Sequence, residues 1–327
     1  MAATRLRLLF AVFHALMAAT GSIAAAGADY PDRPIRLLVP FTPGGGTDII
    51  ARALGQHLTG AWGQNVIIDN RAGGNTVIAS EIVAKARPDG YTLLMQINTL
   101  TALPAMAKAG QGQGTISPEQ FAPISLVAAL PHVLVVHRSV PAASIKELVA
   151  LARASPGKLN YGTPGIGTPV HLAGALFASM AGINVVPVPY KGAAEYTAAL
   201  LGNEVQMVFG SAPTAIPHVR TGALRALGVT TARRIAPLPD VPTIAESGFP
   251  GYDIMSWYGV LAPAGTPHDI VARLAKEIGA ATRTKKFGDA LPDYEMIGNT
   301  PAAFAEFLRK DAEVSARIIA QAGAKAH

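Results

Sequence analysis

Apolar runs of strand length alternate along this chain with stretches whose apolar residues recur every three or four positions. Ile35 to Pro40, Val66 to Asp69, Tyr91 to Met95, Val133 to His137, Leu159 to Gly162, Val185 to Val188, Val205 to Phe209 and Ala226 to Val229 predict buried parallel strands. Among the helical stretches, Ile50, Leu54 and Leu58 share one face, and so do Phe304, Phe307, Leu308, Val314 and Ile318. Ser117-Pro118, Thr168-Pro169, Thr266-Pro267 and Thr300-Pro301 each set a capping hydroxyl before a proline at the first helical position. Gly182 and Gly323 mark helix ends. Alternation of this kind predicts an α/β fold in layers.

Residues 1–28 depart from the pattern. Arg5 and Arg7 precede an apolar run from Leu8 to Ala19 broken only by His14, and Ala26-Gly27-Ala28 sets small residues before Asp29. This predicts a cleaved secretory signal peptide, because the run falls short of the roughly 20 residues that span a bilayer. Further on, Pro123 to Leu130 and Met255 to Ala262 are apolar, extended and bounded by proline. If the chain crosses between lobes at both places, residues 29–127 and 257–327 form a first lobe and 128–256 an inserted second one. The residues alone leave one large sheet equally open.

Composition narrows the chemistry. None of the 327 residues is Cys, which excludes disulfide scaffolds, thiol catalysis and Cys-based zinc sites. Without residues 1–28 the chain has 25 basic against 21 acidic residues, a mild excess. Its densest basic cluster, Arg283, Lys285 and Lys286, falls at a predicted helix end, where cations complement the dipole. No basic stripe interleaved with aromatics suggests nucleic acid. P-loop, dinucleotide, G-x-S-x-G and H-E-x-x-H signatures are missing, so the reading names no cofactor, no metal and no catalytic residue. His132 and His137, five apart, suit neither one helical face nor one strand face for a shared metal.

Two glycine loops carry what chemistry there is. The first strand enters Phe41-Thr42-Pro43-Gly44-Gly45-Gly46-Thr47-Asp48, and a helix follows. Glycines let the backbone approach a ligand closely, and first-turn amides favour an anion. Thr47 or Asp48 is the expected cap, and Thr42 adds a hydroxyl. The arrangement recurs 121 residues later, where Leu159 to Gly162 enters Thr163-Pro164-Gly165-Ile166-Gly167-Thr168-Pro169, with His171 in the first turn of the next helix. Two such loops, one from each lobe, would clasp a single anion at the carboxyl ends of the strands. Four or five charge-assisted hydrogen bonds of about 1.5–3 kcal/mol each suffice for micromolar binding after association costs.

The chain resembles the extracytoplasmic solute receptors of tripartite tricarboxylate transporters, the Bug-type periplasmic binding proteins. Tyr30 to Asp48, the Asn70-Arg71 turn, Pro88 to Leu94, Gly165 to Ala173, Val188 to Gly192, Leu238 to Gly248 and Ala262 to Pro267 carry the resemblance in the family's order. Arg71 is followed here by Ala72-Gly73-Gly74, and Gln206 stands where an Asp is common; both depart from the family's pattern. The resemblance implies a two-lobed flytrap fold with Rossmann-like lobes and two crossover segments. It implies a periplasmic receptor, not an enzyme, that binds a small carboxylate, acts as a monomer and delivers its ligand to membrane permease subunits. The ligand-binding residues it implies are Phe41, Thr42, Gly44, Gly45, Asp48, Asn98 and Thr99 in the first lobe. The second lobe would supply Thr163, Gly165, Gly167, Thr168 and His171. Asp48, an odd partner for an anion, better suits capping its own helix or orienting a water. Tyr190 and Lys191 flank the cleft or start a helix, and Trp257 and Tyr258 pack at the hinge or stack on a ligand. The competing reading is a secreted α/β enzyme acting on a carboxylate.

Overall fold

The computed structural model describes residues 30–110 and 116–322. The expected signal peptide and the helix stop at Gly323 lie outside the described residues. From Arg33 onward the elements are β1 (Ile35–Val39), α1 (Gly46–Trp62), β2 (Val66–Asn70), α2 (Val77–Ala84), β3 (Thr92–Gln96), α3 (Thr99–Lys108) and β4 (Phe121–His137). Then come α4 (Ile145–Ala154), β5 (Asn160–Thr163), α5 (Pro169–Ala181), β6 (Val186–Pro189), α6 (Ala193–Leu201), β7 (Met207–Ser211) and α7 (Ala212–Arg220). The chain closes with β8 (Leu224–Val229), β9 (Met255–Pro263), α8 (His268–Thr282), α9 (Lys285–Ala290), β10 (Glu295–Met296) and α10 (Pro301–Ala322).

One long strand organises the sheet. The first part of β4, from Phe121 to Pro131, pairs antiparallel with β9 from Pro263 to Met255. Its remainder, His132 to His137, pairs antiparallel with β7 and β8. On the first side β9 continues to β3, β1 and β2, the last three mutually parallel. On the second side β7 continues to the parallel strands β5 and β6. The result is two α/β lobes joined through β4 and the stretch leading into β9. α10 packs against both α3 of the first side and α5 of the second.

Several sequence expectations need correction. Val133 to His137 and Ala226 to Val229 are antiparallel, not parallel. An apolar run reports burial on both faces and carries no strand direction, so the error was built into the signal. Pro123 to Leu130 and Met255 to Ala262 are paired with each other as strands. Thr266 does not cap α8, whose N-cap is Pro267; its hydroxyl donates back to the Pro263 carbonyl at 2.8 Å. Ser117-Pro118 opens only a single 3-10 turn. Lys285 and Lys286 begin α9, and Thr284 caps that helix by accepting from the Phe287 amide.

The first lobe's core gathers Leu38, Leu94, Leu100, Phe121, Leu126, Trp257, Leu261 and Phe304. Each fully buried large apolar side chain contributes about 1.5–3 kcal/mol before entropy costs. Trp257 stands edge-on to Phe304 and Phe307 and donates its indole N–H to Asp311 at 2.9 Å. Burial of that carboxyl raises its pKa against the Thr101 and Trp257 hydrogen bonds, which lower it. Among the described residues no helix is long and apolar enough to cross a membrane.

Candidate functional site

Both glycine loops leave the carboxyl ends of parallel strands, and the fold brings them to one cavity. Phe41, Thr42, Gly45, Gly46 and Thr47 come from the first loop, and Pro164, Thr168, Pro169 and Val170 from the second. Gly192, Ala193 and Tyr196 enter from the start of α6, and Ser211 from the end of β7. Ile97, His132, Ser256 and Tyr258 complete the wall. The cavity measures about 480 Å³, counted out through its open mouth.

Among the described residues, no Lys, Arg, Asp or Glu side chain lines this cavity. Its field comes from the backbone. The N-termini of α1, α5, α6 and α7 all reach the wall, and each carries roughly half a positive charge on amides that lack intrahelical acceptors. Pro169 has no N–H, and the His171 amide donates to Thr168 Oγ1 at 3.3 Å. Gly46, Thr47, Val170 and Ala193 line the cavity in first helical turns, whose amides have no intrahelical acceptor. The geometry suits a carboxylate held by neutral donors.

The twelve expected ligand residues divide. Phe41, Thr42, Gly45 and Thr168 line the cavity. Gly44, Asp48, Asn98, Thr99, Thr163, Gly165, Gly167 and His171 are not among the residues that line it. Gly44 (φ +88°) donates its amide to the Asp48 carboxylate at 2.9 Å, and that carboxylate also accepts from Arg52 and from Asn70. Burial alone would raise the Asp48 pKa, yet the Arg52, Gly44 and Asn70 hydrogen bonds outweigh it and hold the group below the usual carboxylate range. The cap of α1 is Gly45, with no side-chain bond, so neither Thr47 nor Asp48 caps the helix as expected. Asp48 instead folds the loop from within.

On the other side, Thr163 and Thr168 both donate to the Gly165 carbonyl, at 3.1 and 2.7 Å. Gly165 has φ +134°, and a Cβ there would lie 2.3 Å from Asn75 Oδ1 on the first side. Gly167 (φ +78°) donates to His171 Nδ1 at 3.3 Å, and the His171 ring stacks on Tyr161. Burial pushes the His171 pKa down to about 4, so the ring is a neutral acceptor that pins the loop. Asn98 bonds the β9 backbone through the Trp257 amide and the Met255 carbonyl, and borders a separate open groove of about 940 Å³ beneath α10. Thr99 is absorbed by Gln96 and Thr76. Tyr190 and Lys191 miss the cavity wall, which Gly192 reaches instead.

The sequence reading missed a chain of polar side chains. Tyr258 and Ser256 share one face of β9, and Ser256 Oγ lies 2.8 Å from His132 Nε2. His132 is 2% exposed and its Nδ1 makes no hydrogen bond. Burial pushes its pKa down to about 4, outweighing the nearby Gly210 and Phe209 main chain. Across the cavity the Ser211 and Thr214 hydroxyls lie 2.8 Å apart. Period-two alternation along β9 was the available signal: it turns Ser256 and Tyr258 to one face while Trp257 enters the core.

Sequence and structure comparisons find relatives along nearly the whole chain. Residues 50–324 match the model of the family described as tripartite tricarboxylate transporter family receptor. Protein BugT of Bordetella pertussis is 33% identical over 320 residues, covering 97% of this chain and 98% of that protein. A solved R. palustris protein with adipate is 35% identical with a TM-score of 0.84, over 90% of this chain and 99% of that one. The periplasmic binding protein BugD is 31% identical with a TM-score of 0.83, again over 90% and 99%.

Proposed function

The chain belongs to the tripartite tricarboxylate transporter receptor family, and from that premise we propose that it captures a small carboxylate between its lobes in the periplasm and presents it to the membrane permease of such a transporter. One observation carries the reading. Two glycine loops, 121 residues apart, meet in one cavity that several helix N-termini reach and that, among the described residues, no cationic side chain lines. The related protein solved with adipate holds a dicarboxylate, which fits the same class of ligand. The lobes run 29–127 with 257–327, and 128–256, behind a cleaved leader at 1–28. Phe41, Thr42, Gly45 and Thr168 touch the acid, while Gly44, Asp48, Gly165, Gly167 and His171 hold the loops that do. Binding drives closure because only the occupied cleft sets both loops against one charge.

An enzyme reading would rest on the Ser256–His132 contact, a nucleophile beside a base. His132 lacks the carboxylate on Nδ1 that would support an imidazolium, and burial holds it neutral to about pH 4. The pair is better built to hydrogen-bond than to transfer protons. Thermal-shift titration of the leaderless chain against small carboxylates tests the receptor reading, since a ligand at 100 times its Kd adds about 2.7 kcal/mol. A tight ligand with no acid group, or turnover of carboxylate esters abolished by Ser256→Ala, would overturn it.

A further inference from the structure

Between β2 and α2 the backbone takes a turn that its side chains resist. Asn75 has φ +51° and Thr76 has φ +77°. Asparagine tolerates the left-handed region, but a β-branched threonine is a rare occupant of it. Thr76 is held there from inside the first lobe. Its hydroxyl donates to Thr99 Oγ1 at 3.0 Å and accepts from Gln96 Nε2 at 3.2 Å, and its carbonyl accepts from Ser80 Oγ at 2.8 Å. These side chains are all buried. Gln96 Oε1 also accepts from the amide of Ile97, which lines the ligand cavity. Strain held by this many bonds is characteristic of working positions, not of plain connections.

The turn faces the second lobe. Gly165, in the second glycine loop, lies so near that a Cβ on it would overlap the Asn75 carboxamide oxygen. Further along the same loop, a Cβ on Gly167 would lie 3.2 Å from Leu103 and 3.3 Å from Met106 of α3, the helix that Thr99 begins. Both glycines therefore press on the first lobe. The Gly165 carbonyl in turn accepts from Thr168, which lines the cavity.

The structure assigns a role to Asn75: with Leu103 and Met106 it forms the seat on which the second glycine loop docks when the lobes close. It is a positioning residue, acting on the ligand through Gly165 and Thr168 and not by touching it. The buried network around Thr76 keeps the carboxamide facing Gly165. Protein atoms alone make this contact, so the seat favours closure with or without ligand, and a larger closed share lowers the apparent Kd in proportion. That consequence for Kd rests on the receptor reading above.

The chain has no cysteine, so nitroxide labels on Lys85→Cys and Lys146→Cys, exposed positions in the first and second lobes, report the lobe separation without competing thiols. Electron double-resonance distances in the leaderless chain, with no ligand added, are expected to show a share of molecules at the separation of this structure. Asn75→Gly keeps the left-handed backbone at ease and removes the seat; it should cut that share by at least about threefold while the melting temperature holds. If Asn75→Gly does not fold, Gly165→Ala meets the same contact from the second lobe and should cut the share as well. A wild type with no closed share, a share that the substitution leaves alone, or a loss matched by a fall in melting temperature overturns the inference. If the share responds as expected while no carboxylate stabilises the chain in thermal-shift titration, the receptor reading falls and the seat stands. If carboxylates bind and the share does not respond, the seat falls and the receptor reading stands.

Discussion

Gly192 turns its bare α-carbon toward Thr42, so closely that a Cβ there would lie 2.4 Å from Thr42 Oγ1. The two residues belong to opposite sides of the cavity: Thr42 follows β1, and Gly192 precedes α6. The φ of Gly192 is 179°, extended backbone open to any residue, so glycine is needed there for space alone. Gly192→Val is therefore expected to fold normally and to close poorly. Calorimetry with the tightest acid should show affinity down by about tenfold or more, roughly 1.4 kcal/mol, with the melting temperature of the unliganded chain unchanged. Adding Thr42→Ala should recover part of the loss. Unaltered affinity in the single variant would show that the loops need not meet for binding.

Asp48 stabilises the first loop without lining the cavity. Asp48→Ala leaves the Gly44 amide, the Asn70 amide group and Arg52 without their acceptor. Stranding such donors costs about 1–3 kcal/mol, which urea denaturation would register as a lower midpoint with an unchanged slope. Asp48→Asn keeps one acceptor oxygen and should cost less. A variant of full stability would mean that the loop's shape does not depend on this carboxylate.

Acid should weaken the fold through two histidines. His132 and His171 are both pushed down to about 4 by burial, against 6.5 when free. Above pH 6.5 neither the folded nor the unfolded chain holds these protons, and the stability they permit is fully present. Between 6.5 and about 4 the unfolded chain binds more protons, so stability falls as pH falls. Each shift corresponds to about 3 kcal/mol over the window. Denaturation midpoints at pH 7 and 4.5 should separate clearly in the wild type and less in His132→Gln. An equal loss in the variant would count against burial of His132 as a cause.

In the core, β9 passes against α10 with no room to spare. A Cβ on Gly259 would lie 2.1 Å from Phe304 Cζ, and Phe304 is wholly buried. Gly259→Ala should destabilise the chain by about 1–3 kcal/mol through overpacking, and Phe304→Leu in the same chain should return some of it. Additive losses in the double variant, read from thermal or urea melts, would place the strain elsewhere.

The sequence by itself determined the local elements and the two glycine loops. Strand runs, the proline helix start after Thr168, and the buried face of Ile50, Leu54 and Leu58 depend on neighbours within a few positions, so periodicity exposes them. Strand direction, and which side of a loop faces the cavity, depend on distant chain, and there the reading strayed. Val133 to His137 proved antiparallel because its partner β7 runs from Met207 to Ser211. Asp48 and His171, polar residues beside glycines, look like ligand contacts in a linear chain; folding spends them on Gly44 and Gly167. Only tertiary structure could join His132 to Ser256, 124 positions apart, through the pairing of β4 with β9. Local backbone preference writes elements into short windows, whereas a binding wall is assembled by long-range packing that no short window contains.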